Sequence, residues 1–194
     1  RMEVKQAVFS ELDEAAPGHA ILASNTSSLP ITELGEATGR PDQVVGFHFF
    51  YPAATMRLIE VVEGDYTSPA TLQTASNFAQ QIRKAPIRCA DAPGFVVNRI
   101  LSAAVSELWR LQEEEGIDVA ELDRLITEAK AAPMGPFALA DRLGLDTVLH
   151  VAEYLRECLG ERFYVHRGMR QLVDAGELGA CLLYTSPSPR DRQK

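Results

Sequence analysis

Residues 44–62 read VVGFHFFYPAATMRLIEVV. Two apolar runs, VVGFHFF (44–50) and MRLIEVV (56–62), flank a break at Tyr51-Pro52-Ala53-Ala54. Short runs of β-branched and aromatic residues bounded by turn signals read as strands covered on both faces, the kind found inside an α/β sheet. The flanking sequence supports that class. Val4, Ala7, Val8 and Leu12 recur at helical spacing over residues 2–15, which end near Pro17. Ser68-Pro69 opens another helix that runs to about Lys84. Further short strands are expected at Ala20–Ala23 (AILA) and Ile87–Cys89, and a short helix at Ile31–Ala37 with Pro30 in its first turn. Strands alternating with helices predict a parallel sheet.

After Ala92-Pro93-Gly94 the pattern is helical only. A long helix is expected over 95–115, with Val96, Ile100, Ala103, Ala104, Leu108 and Leu111 on one side. Asp118 caps a second, through Ala129. A third starts at Pro136, a fourth runs from Asp146 to Leu159 and stops at Gly160, and a last covers 167–175. The chain therefore divides into a later portion of an α/β domain, residues 1–92, and an all-α domain, residues 93–179. Residues 181–194, CLLYTSPSPRDRQK, are rich in Ser, Pro and Arg. The composition changes after Ala180, so 180–194 are expected to be a non-native or disordered tail. A start at Arg1, inside a helical pattern and without a cap, predicts a truncation there.

Composition narrows the function. The chain has 194 residues, 46% apolar and 24% charged, enough for a sizeable core. Lys and Arg number 19 against 27 Asp and Glu, a net charge of −8, which argues against a nucleic-acid partner. No apolar run approaches the ~20 residues that span a bilayer, so no membrane partner is expected. Three cysteines without a C-x-x-C pair fit a reducing cytosol or matrix, and a cytoplasmic location is expected. There is no G-x-G-x-x-G, no Walker motif and no metal-ligand spacing.

In open α/β sheets ligands bind beyond the carboxyl ends of strands. The polar loop Ser24-Asn25-Thr26-Ser27-Ser28 and the break at 51–54 both follow strands. His48 lies inside the first apolar run and Glu60 inside the second. Each needs a polar partner if buried. Together they suggest a His–Glu pair, the carboxylate orienting an imidazole for acid/base work. The alternatives are a core histidine bonded to a backbone carbonyl and a solvent-facing glutamate. For Ser27 or Ser28 the alternative is a helix N-cap. For Asn98 it is a capping or interdomain hydrogen bond. Pro133-Met134-Gly135-Pro136-Phe137 reads as a tight interhelical connection or a channel lining. His19, His150 and His166 receive no role.

Four strings, ASNTSS (23–28), GFHFFYP (46–52), LIEVV (58–62) and DAPGFVVNRIL (91–101), together resemble the L-3-hydroxyacyl-CoA dehydrogenase family, and PMGPFALADRLGLD (133–146) continues the match. The resemblance covers nearly all of residues 1–179. It implies a Rossmann NAD-binding domain followed by a helical dimerisation domain, with NAD as cofactor, an acyl-CoA substrate and a homodimer. It implies oxidation of a 3-hydroxyl to a 3-keto group, most closely of the short-chain 3-hydroxybutyryl type. His48 matches the family's catalytic histidine and Glu60 its acidic partner. Ser27 and Asn98 match residues at the substrate, and Lys5, Asn25 and Ser27 match positions near the cofactor.

Two departures stand out. Tyr51 follows HFF where many members carry Asn. The Gly-rich loop that holds the pyrophosphate is not in the chain, nor is the family's closing G-x-G-F-Y-like segment; both are expected beyond its ends. Two alternative functions follow: a related hydroxy-acid or sugar-acid dehydrogenase, and a catalytically incomplete helical dimerisation fragment.

Overall fold

The computed structural model describes residues 2–179. Arg1 and the tail expected at 180–194 lie outside the described residues. The described residues divide into two compact units, the first ending at Asn98 and the second beginning at Arg99.

The first unit runs α1 (Met2–Ala15), β1 (Leu22–Ser24), α2 (Ile31–Glu36), β2 (Val44–Phe49), β3 (Leu58–Glu63), α3 (Pro69–Gln81) and β4 (Ala85–Ala90). Its four strands form one sheet in the order β1-β2-β3-β4. The sheet is mixed, which corrects the parallel expectation. β1 pairs with β2 and β3 with β4 in parallel, but β2 and β3 are antiparallel. The reason is connection length. Helices α2 and α3 cross over between the parallel neighbours, whereas only residues 50–57 join β2 to β3, and a parallel crossover takes about a dozen residues or more.

Strand alternation sorts β2 and β3 into two faces. Val45, Phe47, Ile59 and Val61 pack with Leu72, Ala75 and Ala79 of α3. Val44 and Val62 pack on the other face with Phe9 of α1 and Ile31 and Leu34 of α2. With helices on both sides, the strands read as continuous apolar runs. Gly46 lies in the second row, where an added Cβ would meet the Val62 Cβ at 2.6 Å. Gly46→Val is therefore expected to destabilise the unit by about 1–3 kcal/mol, seen as a lower urea midpoint.

The second unit holds most of α4 (Val97–Glu115), then α5 (Val119–Glu128), α6 (Pro136–Leu143), α7 (Leu145–Leu159) and α8 (Arg167–Asp174). Its core gathers Trp109, Ala140, Leu149, Ala152, Val165 and Met169. Asp118 caps α5 by accepting from the Glu121 amide at 3.1 Å. The 133–137 segment is a tight connection. The Asp123 carboxylate accepts from the amides of Phe137 and Ala138 at 3.0 and 2.7 Å, and a Cβ at Gly135 would fall 2.2 Å from Asp123. A cavity of about 600 Å³ in this unit is lined by residues such as Gln112, Phe137, Leu145 and Leu172.

His166, given no role above, is buried as the N-cap of α8. Its Nδ1 accepts from the Met169 amide at 2.9 Å and its Nε2 donates to Gln112 Oε1 at 2.8 Å. Burial lowers its pKa, against the pull of the Glu113 carboxylate and with help from Arg167. The unfolded chain therefore takes up the proton more readily, and stability falls as pH drops from neutral through the ordinary imidazole range near ~6.5. His166→Asn keeps a capping side chain without the titration. It is expected to flatten that slope in thermal melts recorded across pH.

Candidate active site

The polar end of the Val44-Gly46 row carries the chemistry. His48 and Glu60 are direct partners across the antiparallel β2–β3 pair, so their side chains leave the sheet on the same face. β2 is parallel to β1, and the loop 25–28 leaves β1 at the same end of the sheet at which β2 finishes. Sheet topology alone thus brings Ser27 to His48.

His48 is 4% exposed and Glu60 0%. His48 Nδ1 lies 2.7 Å from Glu60 Oε2. The other carboxyl oxygen, Oε1, accepts from the amides of Val96 and Val97 at 3.0 and 2.9 Å. These amides begin α4, where backbone N–H groups have no intrahelical partner and the helix dipole favours negative charge. Burial alone would raise the Glu60 carboxyl, but the His48 hydrogen bond and the Val97 and Val96 amides outweigh it and hold the pKa below its ordinary value. An ionised carboxylate only accepts hydrogen bonds. His48 Nδ1 therefore carries the proton, and in the neutral ring Nε2 is left as the lone-pair nitrogen. Nε2 is 3.2 Å from Ser27 Oγ. The rings of Phe50 and Phe95 meet the imidazole edge-on, with centroids 4.8 and 5.8 Å away.

The contacts narrow the alternatives weighed from sequence for Glu60 and Ser27. Glu60 sits in an interior strand with no exposure, which excludes the solvent-facing edge. No side chain caps α2 at Pro30. Thr26 Oγ1 accepts from the Leu29 and Ser28 amides instead, at 3.0 and 3.4 Å, so Ser27 is not consumed as a cap. Asn98 Nδ2 donates to the Ser27 carbonyl at 3.4 Å, and the Phe49 amide donates to Asn25 Oδ1 at 2.9 Å. Asn25, Ser27, His48, Glu60 and Asn98 are thus one connected group. Lys5, half-buried on α1, has no hydrogen bond or ion pair that joins it to them.

Sequence reasoning missed the Val96 and Val97 amides, which have no side-chain signature. Gly94 was the available signal, since glycine before a helix often marks a left-handed turn. Cys89, next along the β4 row, is pushed up to about 12, by burial first and then by the negative charges of Glu60 and Asp91. It stays a neutral thiol and is no nucleophile. Among the described residues no cluster of His, Cys, Asp and Glu could hold a metal ion.

The residues present fit one end of a dinucleotide. Exposed Ser27 and Asn25 offer hydroxyl and amide groups at a strand's carboxyl end, where nicotinamide-sized groups bind in such sheets. Ser24 Oγ is buried there without a hydrogen-bond partner. No G-x-G-x-x-G stands in the chain to cradle a pyrophosphate.

Comparison with known proteins agrees with this reading of the fold. Residues 1–92 match the family model described as 3-hydroxyacyl-CoA dehydrogenase, NAD binding domain. Residues 94–181 match 3-hydroxyacyl-CoA dehydrogenase, C-terminal domain. The chain is 40% identical over 179 residues to 3-hydroxybutyryl-CoA dehydrogenase of Clostridioides difficile, covering 92% of this chain and 64% of that protein. It is 39% identical to mitochondrial hydroxyacyl-coenzyme A dehydrogenase of Sus scrofa, over 92% of this chain and 57% of that one. The crystal structure of M. tuberculosis FadB2 superposes with a TM-score of 0.87 at 35% identity, covering 92% of this chain and 64% of that one. That of (S)-3-hydroxybutyryl-CoA dehydrogenase PaaH1 from Ralstonia eutropha gives 0.85 at 37%, over 91% and 63%. The chain belongs to the 3-hydroxyacyl-CoA dehydrogenase family: an NAD-binding Rossmann-type domain with a four-stranded sheet, then a helical C-terminal domain. It spans less than two thirds of the length of these relatives.

Proposed function

We propose that the protein carrying this chain oxidises the 3-hydroxyl of an (S)-3-hydroxyacyl-CoA to a 3-keto group, with NAD as hydride acceptor and His48 as general base. The observation that carries this is the His48–Glu60 pair, with Nδ1 on the carboxylate and Nε2 beside Ser27 Oγ. When bound, NAD supplies the electron sink for the hydride. The rest falls to the chain. A secondary alcohol is a very weak acid, so a base within hydrogen-bond reach is needed as the C–H bond breaks. Nε2 takes the hydroxyl proton and Glu60 stabilises the imidazolium that results. Ser27 Oγ and Asn98 Nδ2 donate to the substrate oxygen and hold it against Nε2. In the reverse direction the imidazolium returns the proton.

The 40% identity to a 3-hydroxybutyryl-CoA dehydrogenase supports a short acyl chain. A homodimer through the helical unit belongs to the same reading, supported by exposed apolar residues there such as Ile100, Leu111 and Leu125. So does a cytoplasmic location; among the described residues no helix is long and apolar enough to cross a membrane. The test is NADH formation by the full-length protein with (S)-3-hydroxybutyryl-CoA. Turnover is expected with the thioester and not with free hydroxy acids or sugar acids. The opposite preference would assign the site to a hydroxy-acid dehydrogenase.

A further inference from the structure

We infer that the turn at Gly94-Phe95 is a positioning device for the His–Glu pair: it delivers two backbone amides to Glu60, fixing both the charge of that carboxylate and the proton-accepting nitrogen of His48. The inference rests on the function proposed above and extends it to residues that never touch a substrate.

The geometry is specific. Gly94 and Phe95 adopt consecutive positive φ angles, 72° and 46°. For glycine that is easy; for a bulky residue such as Phe it is strained and persists only when its surroundings impose it. Phe95 is 4% exposed, packed in the α1/α2-side core with its ring against His48. The left-handed pair reverses the chain just before α4, so that the next two N–H groups both point at Glu60 Oε1. Without those donors a fully buried carboxylate would have His48 as its one polar partner. Burial would then favour the neutral acid. A protonated Glu60 no longer draws the proton to Nδ1 and no longer supports the imidazolium. The turn thus acts on His48 through Glu60.

Proline tests this with little disturbance. Val97 is the first helical residue of α4, where proline is well tolerated because its missing N–H has no intrahelical partner and its φ suits the helix. Val97→Pro therefore removes one Glu60 donor and keeps the helix start. The first readout is the Glu60 carboxyl titration followed by carbon NMR on the full-length protein; the second is the pH profile of kcat/KM. The expected result is a rise in the Glu60 titration, because one of the donors that hold its pKa down is gone, with the acid limb of kcat/KM moving to higher pH. Phe95→Gly keeps the φ angle accessible and removes only the ring, and is expected to leave the Glu60 titration near wild type. Gly94→Val forbids the turn and is expected to shift it further than Val97→Pro. An unchanged Glu60 titration in a folded Val97→Pro protein would overturn the inference. So would a Phe95→Gly shift as large as that of Val97→Pro, since the ring would then be the agent. Should Val97→Pro not fold, replacing the Val97 amide by an ester removes the same N–H with the side chain intact and is read identically. The NMR readout needs no turnover, so loss of the dehydrogenase reading would leave this test standing.

Discussion

Replacing His48 by Gln in the full-length protein is expected to lower kcat by about 10²–10⁴-fold, with a melting temperature close to wild type. Glu60 keeps the Val96 and Val97 amides at its other oxygen, so the buried carboxylate is not left without donors. What Gln lacks is a basic nitrogen at the Nε2 position. KM for the substrate should change little, since Ser27 and Asn98 remain. Steady-state kinetics beside a thermal melt checks both halves. Wild-type-like turnover would remove His48 from the mechanism.

The second large effect concerns Glu60, where the loss splits by substituent. Glu60→Gln keeps the size and can still accept from the Val96 and Val97 amides through its carbonyl oxygen. Its NH₂ group then faces His48 Nδ1 and makes that nitrogen the acceptor. The proton moves to Nε2 and the base is lost. A drop of about 10²–10⁴-fold in kcat is expected in a folded protein. Glu60→Leu instead takes the acceptor from the N–H groups of Val96, Val97 and His48 and should destabilise the first unit by about 1–3 kcal/mol. Urea denaturation separates the two variants: the Gln midpoint stays near wild type and the Leu midpoint falls. A Gln variant with full activity would show that the carboxylate's charge and tautomer control are dispensable.

Much of this was legible in the residues. VVGFHFF and LIEVV each place one ionisable group in an apolar run, and buried polar groups need partners; from that alone His48 and Glu60 point to each other. Their antiparallel relation was also available, since residues 50–57 are too few for a crossover, yet strand–helix alternation elsewhere suggested a parallel sheet. The β1 strand falls at Leu22–Ser24 rather than 20–23, because the polar Ser24 is buried in the sheet despite its composition. Backbone donors were not legible. Val96 and Val97 look like any apolar start of a helix, and only the φ angles of Gly94 and Phe95 show where their N–H groups aim. His166 was passed over because its neighbours are polar; its burial depends on Gln112 and Met169, distant in sequence or set by the cap.

The register of the β2–β3 hairpin gives the His–Glu pair a second consequence, one that concerns folding. Side chains alternate with a period of two, so a slip of a single residue would turn His48 and Glu60 to opposite faces of the sheet. Such a slip would also take Gly46 away from Val62, where no added Cβ fits, and it would part the two polar groups. A misaligned hairpin would bury a carboxylate and an imidazole apart from each other, which costs several kcal/mol. The same contact that would move a proton in the finished protein also proofreads the alignment of its central strands.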